Sequence, residues 1–162
     1  TLFRSTQVTL FVSLFFVGCA SVPQADSTLS QKVKELKAPS EGQAAVYVYR
    51  SKSVVGAALK KDVWLDGACL GETARGTFFY KEVMGDQEHV ISTESEFSPN
   101  HLKLKTDAGK SYFIQQYIKP GAFVGGANLK QVSDEEGRKA VNEYSLAKGG
   151  DCSKPSIILE NK

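Results

Sequence analysis

The feature that most constrains the fold of this chain is a two-residue period of apolar side chains that begins at residue 44. Residues 45–49 are rich in valine and tyrosine, and residues 102–105 alternate leucine with lysine. Successive side chains of a strand point to opposite faces of a sheet, so this period predicts strands rather than helices. Further strands are predicted over residues 61–65, 68–70, 77–83, 88–94 and 111–118, with a short one around residues 123–132.

Local signals complete the predicted fold. Asp66 and Gly67 both tolerate positive φ and predict a hairpin turn. Ser133 followed by Glu136 is typical of a helix N-terminus, and apolar residues at helical spacing follow, although Gly137 is unfavourable inside a helix. These patterns predict a mainly β chain: an antiparallel β-sandwich of about seven or eight short strands with one C-terminal α-helix. This domain is expected over residues 44–148, with a tail over residues 149–162.

An apolar run precedes the domain by some distance. Residues 8–17 are apolar except for Thr9 and Ser13. As a helix they would span about 15 Å, roughly half of a bilayer core, which predicts a signal peptide over residues 1–18 rather than a membrane-spanning helix. The run ends in Gly18 and Cys19, which resemble the lipobox of bacterial lipoproteins, although Phe16 stands where leucine is usual. The alternative is a secreted soluble protein with an incidental cysteine.

The lipobox resemblance implies cleavage before Cys19 and acylation of its thiol, with palmitate as a typical chain. Several acyl chains give stable anchoring, so the membrane is the predicted partner at the N-terminus. Ala20 stands where an aspartate would indicate inner-membrane retention, which favours the outer membrane, facing the periplasm, in a Gram-negative host. Residues 19–43 are mostly polar and predict a flexible tether. The net charge of +2 gives no basic footprint for nucleic acid.

Motifs spread over residues 41–146 resemble the DUF2846 family. These motifs are residues 76–79, 89–97, 108–114 and 125–128, and they occur in the family's order. Residues 63–71, a strand, an Asp-Gly turn and a short strand, are also similar to PEGA-type repeats, which are small β-sandwich modules of surface proteins. The DUF2846 family consists largely of bacterial lipoproteins without an assigned activity. The resemblance therefore implies a fold and a location but no mechanism.

The most polar segment covers residues 89–101 and includes both histidines. It contains the residues predicted to form a binding surface for an envelope protein or a glycan: Ser92, Thr93, Glu94, Ser95, Glu96 and Asn100. The alternative for these residues is ordinary hydrogen bonding at strand ends and turns. The sequence shows no recognisable catalytic set, cofactor motif or metal-ligand spacing. The predicted function is therefore a non-catalytic binding or structural module in a lipid-anchored envelope protein.

Two alternative functions remain open. Glu94 and Glu96, two residues apart on a strand, have Cα atoms about 6.5–7 Å apart, which would suit an enzyme, or an enzyme inhibitor, acting on envelope polysaccharide. His89 and His101 would suit an envelope metal-binding protein. Strand alternation, however, puts His89 on the face opposite the two glutamates.

Two cysteines remain besides Cys19. Cys69 and Cys152 are predicted to form a disulfide, because free thiols are unusual in an oxidising compartment. The alternative is two separate thiols, with Cys69 buried in the sheet and Cys152 on the tail.

Overall fold

A computed structural model describes residues 18–123 and 125–159 of the chain. The described residues form two helices, neither of which is long and apolar enough to cross a membrane, and nine strands. In chain order the elements are α1 (Ser27–Lys34), β1 (Gln43–Arg50), β2 (Lys61–Leu65), β3 (Ala68–Thr73), β4 (Thr77–Met84), β5 (Glu88–Thr93), β6 (Asn100–Lys105), β7 (Ser111–Lys119), β8 (Gly126–Gln131), α2 (Asp134–Glu143) and β9 (Ser145–Leu146).

The strands form two sheets. One sheet has five strands in the order β8-β7-β1-β4-β9, and the other has four in the order β3-β2-β5-β6. Asp66 (φ 50°) and Gly67 (φ 81°) join β2 to β3 at the predicted hairpin turn. Ser133 caps α2 by accepting a hydrogen bond from the Glu136 amide. The predicted fold class, mainly β with a helix near the C-terminus, is confirmed.

Strand β1 lies in the middle of the five-stranded sheet and is buried on both faces. Alternate side chains, at Ala44, Val46 and Val48, pack into the core between the two sheets. The side chains between them contribute to a second core under the helices, which comprises Val33, Ala45, Tyr47, Tyr49, Phe78, Phe113, Ala140, Val141 and Leu146. The domain therefore has three layers, with the five-stranded sheet between the other sheet and the helices.

Two strand pairs differ from the antiparallel arrangement that the sequence predicts. Strand β1 runs parallel to β7, and β4 runs parallel to β9; the other pairs between strands are antiparallel. A parallel strand in a sheet covered on both sides tends to be apolar without interruption, because both of its faces are buried. The apolar run 44–49 in β1 fits this rule.

The segment predicted as a flexible tether, residues 19–43, is also different in the structure. Helix α1 begins after Asp26, whose carboxylate accepts hydrogen bonds from the Thr28 and Leu29 amides. Val22 and Val33 are buried against the domain. The Ala25 amide donates to the Leu146 carbonyl, at 2.9 Å, so this part of the chain lies along the strand that ends the sheet. The segment folds onto the domain because the second face of the five-stranded sheet needs apolar cover.

We expect Gly137→Ala to destabilise the protein. A Cβ atom at Gly137 would overlap the Phe113 side chain, so this glycine lets α2 pack closely on β7. Overpacking should lower the free energy of unfolding by about 1–3 kcal/mol, although alanine is normally favoured over glycine in a helix by up to about 1 kcal/mol. Lys139→Ala, at an exposed position of α2, is the control and should change stability by less than about 0.5 kcal/mol. Greater stability of G137A in urea denaturation would contradict this role.

Candidate functional site

Cys19 is exposed, and it has a free thiol. The next residue, Ala20, donates its backbone N–H to the Ala57 carbonyl at 3.0 Å. Ala57 belongs to the loop between β1 and β2, residues 51–60, which the buried Arg50 holds by donating to the Gly56 carbonyl at 2.7 Å. Burial lowers the pKa of Arg50 to about 10, so its guanidinium is still charged at neutral pH. Residues 1–17, which make up all but the last residue of the predicted signal peptide, lie outside the described residues.

Three loops meet at this end of the sandwich. Because β1 and β7 are parallel, their C-terminal ends lie side by side, and the loops that follow them are neighbours. Gly125, in the loop after β7, lies against the Leu59 and Ile118 side chains. The loop between β5 and β6 joins them, since the Glu96 carboxylate accepts hydrogen bonds from the Ala122 and Phe123 amides. We call this region the Cys19 end: residues 18–20, 51–60, 94–99, 119–123 and 125.

The predicted binding surface is not a continuous exposed surface, and this corrects the interpretation of Ser92 and Thr93. Both side chains are fully buried. The Ser92 hydroxyl is 2.7 Å from His101 Nδ1, and the Thr93 hydroxyl donates to the Asp62 carbonyl at 2.9 Å. A ligand could reach them only if the sheet opened.

The other residues of that segment also have partners within the chain. Glu94 accepts from the Asp62 amide and lies 3.5 Å from the Lys61 ammonium, while Glu96 binds the two loop amides described above. The Asn100 side-chain amide donates to the Ala127 carbonyl at 2.7 Å. Ser95 is half-buried and lies against Gly126. The hydrogen-bonding alternative thus accounts for these residues: they connect β5 and β6 to the loops of the Cys19 end.

A buried polar cluster that was not predicted from the sequence lies behind this segment. Gln116 on β7 is fully buried and donates to the Thr93 hydroxyl at 2.7 Å, while its carbonyl oxygen accepts from Thr73. Asp62 is 1% exposed, and one oxygen of its carboxylate accepts from the Ser153 amide at 2.8 Å. These bonds link both sheets and the C-terminal tail. The available signal in the sequence was single polar residues within strands that are otherwise apolar. Their partners are distant in the sequence, so the sequence does not show which of them bond to each other.

Both histidine side chains have hydrogen-bonding partners within the chain. His89 is buried, with Nδ1 2.7 Å from Asp66 Oδ2 and Nε2 2.8 Å from the Met84 carbonyl. Both partners are acceptors, so both bonds form only when the ring carries two protons. His101 Nδ1 faces Ser92. Among residues 18–123 and 125–159, no group of three or more His, Cys, Asp or Glu side chains could hold a metal ion.

The protonation of His89 follows from this geometry. Burial alone would lower its pKa, but the hydrogen bonds to Asp66 and to the Met84 carbonyl, with the charge of Asp66, outweigh burial and raise the pKa above its ordinary value. Asp66 also accepts from the Val90 amide at 2.8 Å. The ion pair therefore fixes the β2–β3 turn onto β5, a structural role at the end of the sandwich opposite Cys19.

Cys69 and Cys152 form a disulfide, with their Cα atoms 6.1 Å apart. The bond holds the C-terminal tail on the four-stranded sheet. Next to it the Trp64 indole donates to the Lys154 carbonyl at 2.9 Å, and the Ile157 amide donates to the Gly67 carbonyl at 3.0 Å. The tail therefore closes over the outer face of β2 and β3 and buries Trp64.

Two grooves run along α1. One, of about 380 Å³, is mainly apolar and lies between α1 and the β3–β4 region, with Leu29, Leu70 and Phe79 in its walls. The other, of about 340 Å³, is lined by Tyr80 and Glu82 among others. Burial and the hydrogen bond to Glu82 raise the pKa of Tyr80, so the phenol stays protonated at neutral pH. Neither groove is lined by Glu94, Glu96, His89 or His101.

Comparison with known proteins gave two findings. The model of the DUF2846 family, described as a protein of unknown function, matches residues 40–127. This range covers β1 to β7 and the start of β8, and it leaves out both helices and Cys152. A protein of Haemophilus influenzae described as uncharacterized is 49% identical over 136 residues, which cover 84% of this chain and 80% of the relative.

We expect the stabilising effect of His89 to be lost as the pH rises. The folded-state pKa is raised above the value of about 6.5 expected in the unfolded chain. The contribution is therefore complete below about pH 6.5 and disappears as the pH passes the folded-state pKa. The difference in unfolding free energy between wild type and His89→Gln should shrink between pH 5.5 and pH 9. Asp66→Asn should weaken the same pH dependence. A difference that grows towards high pH would contradict a charged His89.

The disulfide should contribute strongly to stability. It links residues 83 positions apart, and a loop of that length corresponds to about 4.5 kcal/mol in the chain-entropy model. We expect the double variant with Cys69→Ser and Cys152→Ser to lose about 2–5 kcal/mol of unfolding free energy and to release the tail to proteases. Cys19→Ser is the matched control, because its thiol is exposed and unpaired. Equal stability of the two variants would refute the contribution of the bond.

Proposed function

The chain belongs to the DUF2846 family of proteins of unknown function, and we propose that this member is a lipoprotein of the bacterial cell envelope. In this proposal Cys19 is the acylated N-terminus of the mature protein, after removal of the signal peptide. The β-domain is a non-catalytic binding or structural module held at the membrane. Its partners are the membrane, through the acyl chains, and an envelope protein or glycan.

The state of Cys19 is the observation that carries the proposal. Acylation needs an accessible thiol nucleophile next to a small residue, and Cys19 is exposed and preceded by Gly18. Within the described part of the chain, the other two cysteines are bonded to each other and cannot compete for acylation. The apolar run 8–17 stands immediately before this site, at the spacing of a lipoprotein signal.

Two further observations support the proposed compartment. A disulfide persists in the periplasm and outside the cell, whereas cytosolic reductants break most such bonds; Cys69 and Cys152 are bonded. Ala20 follows Cys19 where an aspartate would favour the inner membrane. We therefore propose the outer membrane, with the domain facing the periplasm.

The proposal of a non-catalytic module follows from what the polar side chains do. Glu94 and Glu96 hold backbone amides and a lysine, and both nitrogens of His89 face acceptors within the chain. In the described part of the chain, these side chains therefore serve contacts within the domain, which supports the binding or structural module over the polysaccharide-directed enzyme and the metal-binding protein. The grooves along α1 are the better candidates for a binding surface.

We expect Cys19→Ser to block processing. Full-length protein expressed in bacteria with labelled palmitate should incorporate label in the wild type and none in the variant, which should accumulate with residues 1–18 still attached. The β-domain should still fold, since the Cys19 side chain is exposed. The double variant with Cys69→Ser and Cys152→Ser is the control and should still be labelled. A cleaved, acylated C19S protein in the envelope fraction would overturn the proposal.

A further inference from the structure

The exposed apolar side chains of the domain concentrate at one end. Seven large apolar side chains are exposed among the described residues, and four of them lie at the Cys19 end: Val54 (79% exposed), Val55 (56%), Phe97 (82%) and Phe123 (87%). Large apolar side chains grouped on a surface mark an interaction site more often than single ones do. Here they project from three neighbouring loops rather than from one mobile tip.

The loops that carry these side chains are each held by hydrogen bonds to another part of the domain. The Arg50 guanidinium holds the loop of Val54 and Val55 through the Gly56 carbonyl. The Glu96 carboxylate, next to Phe97, accepts hydrogen bonds from the Phe123 amide and its neighbour. The exposed apolar side chains are therefore carried by loops that hydrogen bonds hold in place.

Cys19 lies at the same place. Ala20 is hydrogen-bonded to Ala57, three residues from Val54, and consecutive Cα atoms are about 3.8 Å apart. Acyl chains on Cys19 would therefore enter a lipid leaflet beside these loops. No flexible stretch separates Cys19 from the domain, because residues 20–25 are themselves bonded to it through Ala20 and Ala25.

We propose that the Cys19 end docks onto the leaflet that holds the acyl chains, with Val54, Val55, Phe97 and Phe123 inserted at the interface. This inference rests on the proposed acylation of Cys19. A lipid anchor combined with inserted apolar side chains gives firmer binding than either alone, and phenylalanine is among the side chains that membrane-surface segments bury at the boundary of headgroups and acyl chains.

Apolar contact rather than charge drives this docking. Three lysines belong to this end, Lys52, Lys60 and Lys119. Lys60 lies close to Glu72, and Lys61, the residue after it, lies close to Glu94. The Lys52 ammonium donates to the Glu143 carbonyl. Docking should therefore occur on zwitterionic lipid and depend little on salt, unlike binding by a basic patch, which is screened.

Introduced tryptophans test the docking in the purified, acylated protein reconstituted in phosphatidylcholine vesicles. The variants are Phe97→Trp and Phe123→Trp, and the control is Met84→Trp. Met84 is exposed (55%) at the opposite end of the sandwich, where it pairs with Gln43. The native Trp64 is buried and gives a constant background. Lipids with brominated acyl chains quench tryptophan by contact.

The two docking variants should lose roughly half of the added emission in brominated vesicles, since indoles concentrate at the interface, while M84W should be unaffected. Intact mass measured on the same samples reports acylation. If Cys19 is acylated but F97W and F123W behave like M84W, the docking is refuted and the lipoprotein proposal stands. Blue-shifted emission without bromine quenching would also refute it, since a protein would then cover the loops. An intact mass that corresponds to protein without acyl chains would overturn both the docking and the lipoprotein proposal.

Discussion

The structure depends on the burial of β1 on both faces. Ala44, Val46 and Val48 require a second sheet, and Ala45, Tyr47 and Tyr49 require a helical layer. The four-stranded sheet covers the first face, and α2 covers part of the second, where Gly137 permits contact with Phe113. The remaining apolar surface is covered by α1 through Val33. A segment that composition alone would leave in solvent is therefore drawn onto the domain, and the position of Cys19 follows from it.

Much of this fold could be predicted from the sequence because strand alternation and turn chemistry are local. The predicted strand 61–65 coincides with β2, the Asp66–Gly67 turn is present, and the predicted strands over 77–83 and 111–118 differ from β4 and β7 by one residue at one end. The parallel pairing of β1 with β7 could not be predicted in this way, since the period of two is the same in either orientation. The continuous apolar run in β1 was the available indication of burial on both faces. Helix α1 was not predicted, because so short a helix is stabilised mainly by packing on the domain rather than by its own sequence. Asp26, its N-cap residue, was the local signal of a helix start.

The candidate binding segment shows why polarity alone is a weak guide to function. Ser92 and Thr93 are polar yet fully buried: Ser92 faces His101, and Thr93 belongs to a network in which it accepts from Gln116 and donates to the backbone of β2. A buried polar group is costly unless it is hydrogen-bonded, so such residues come in mutually satisfied sets. The sequence displays the members of the set, but only the register of the strands brings them together. The cysteines are different: their number and compartment predicted the pairing of Cys69 with Cys152, which the structure contains.

The packed N-terminal segment changes what an anchored domain can reach. A flexible tether of about 24 residues would let the domain explore roughly 25–30 Å around its anchor. With Ala20 bonded to Ala57, the reach is instead set by the sandwich itself, and a strand of the length of β1 spans about 26 Å. The grooves along α1 lie on the side of the domain, between the Cys19 end and the turns at the opposite end, and the proposed docking would give them a fixed orientation relative to the membrane. A partner anchored in the same membrane would meet these grooves at a high effective concentration, since both molecules are confined to one surface. In the proposed arrangement, the short segment between Cys19 and α1 would therefore set the geometry with which such a partner approaches the grooves.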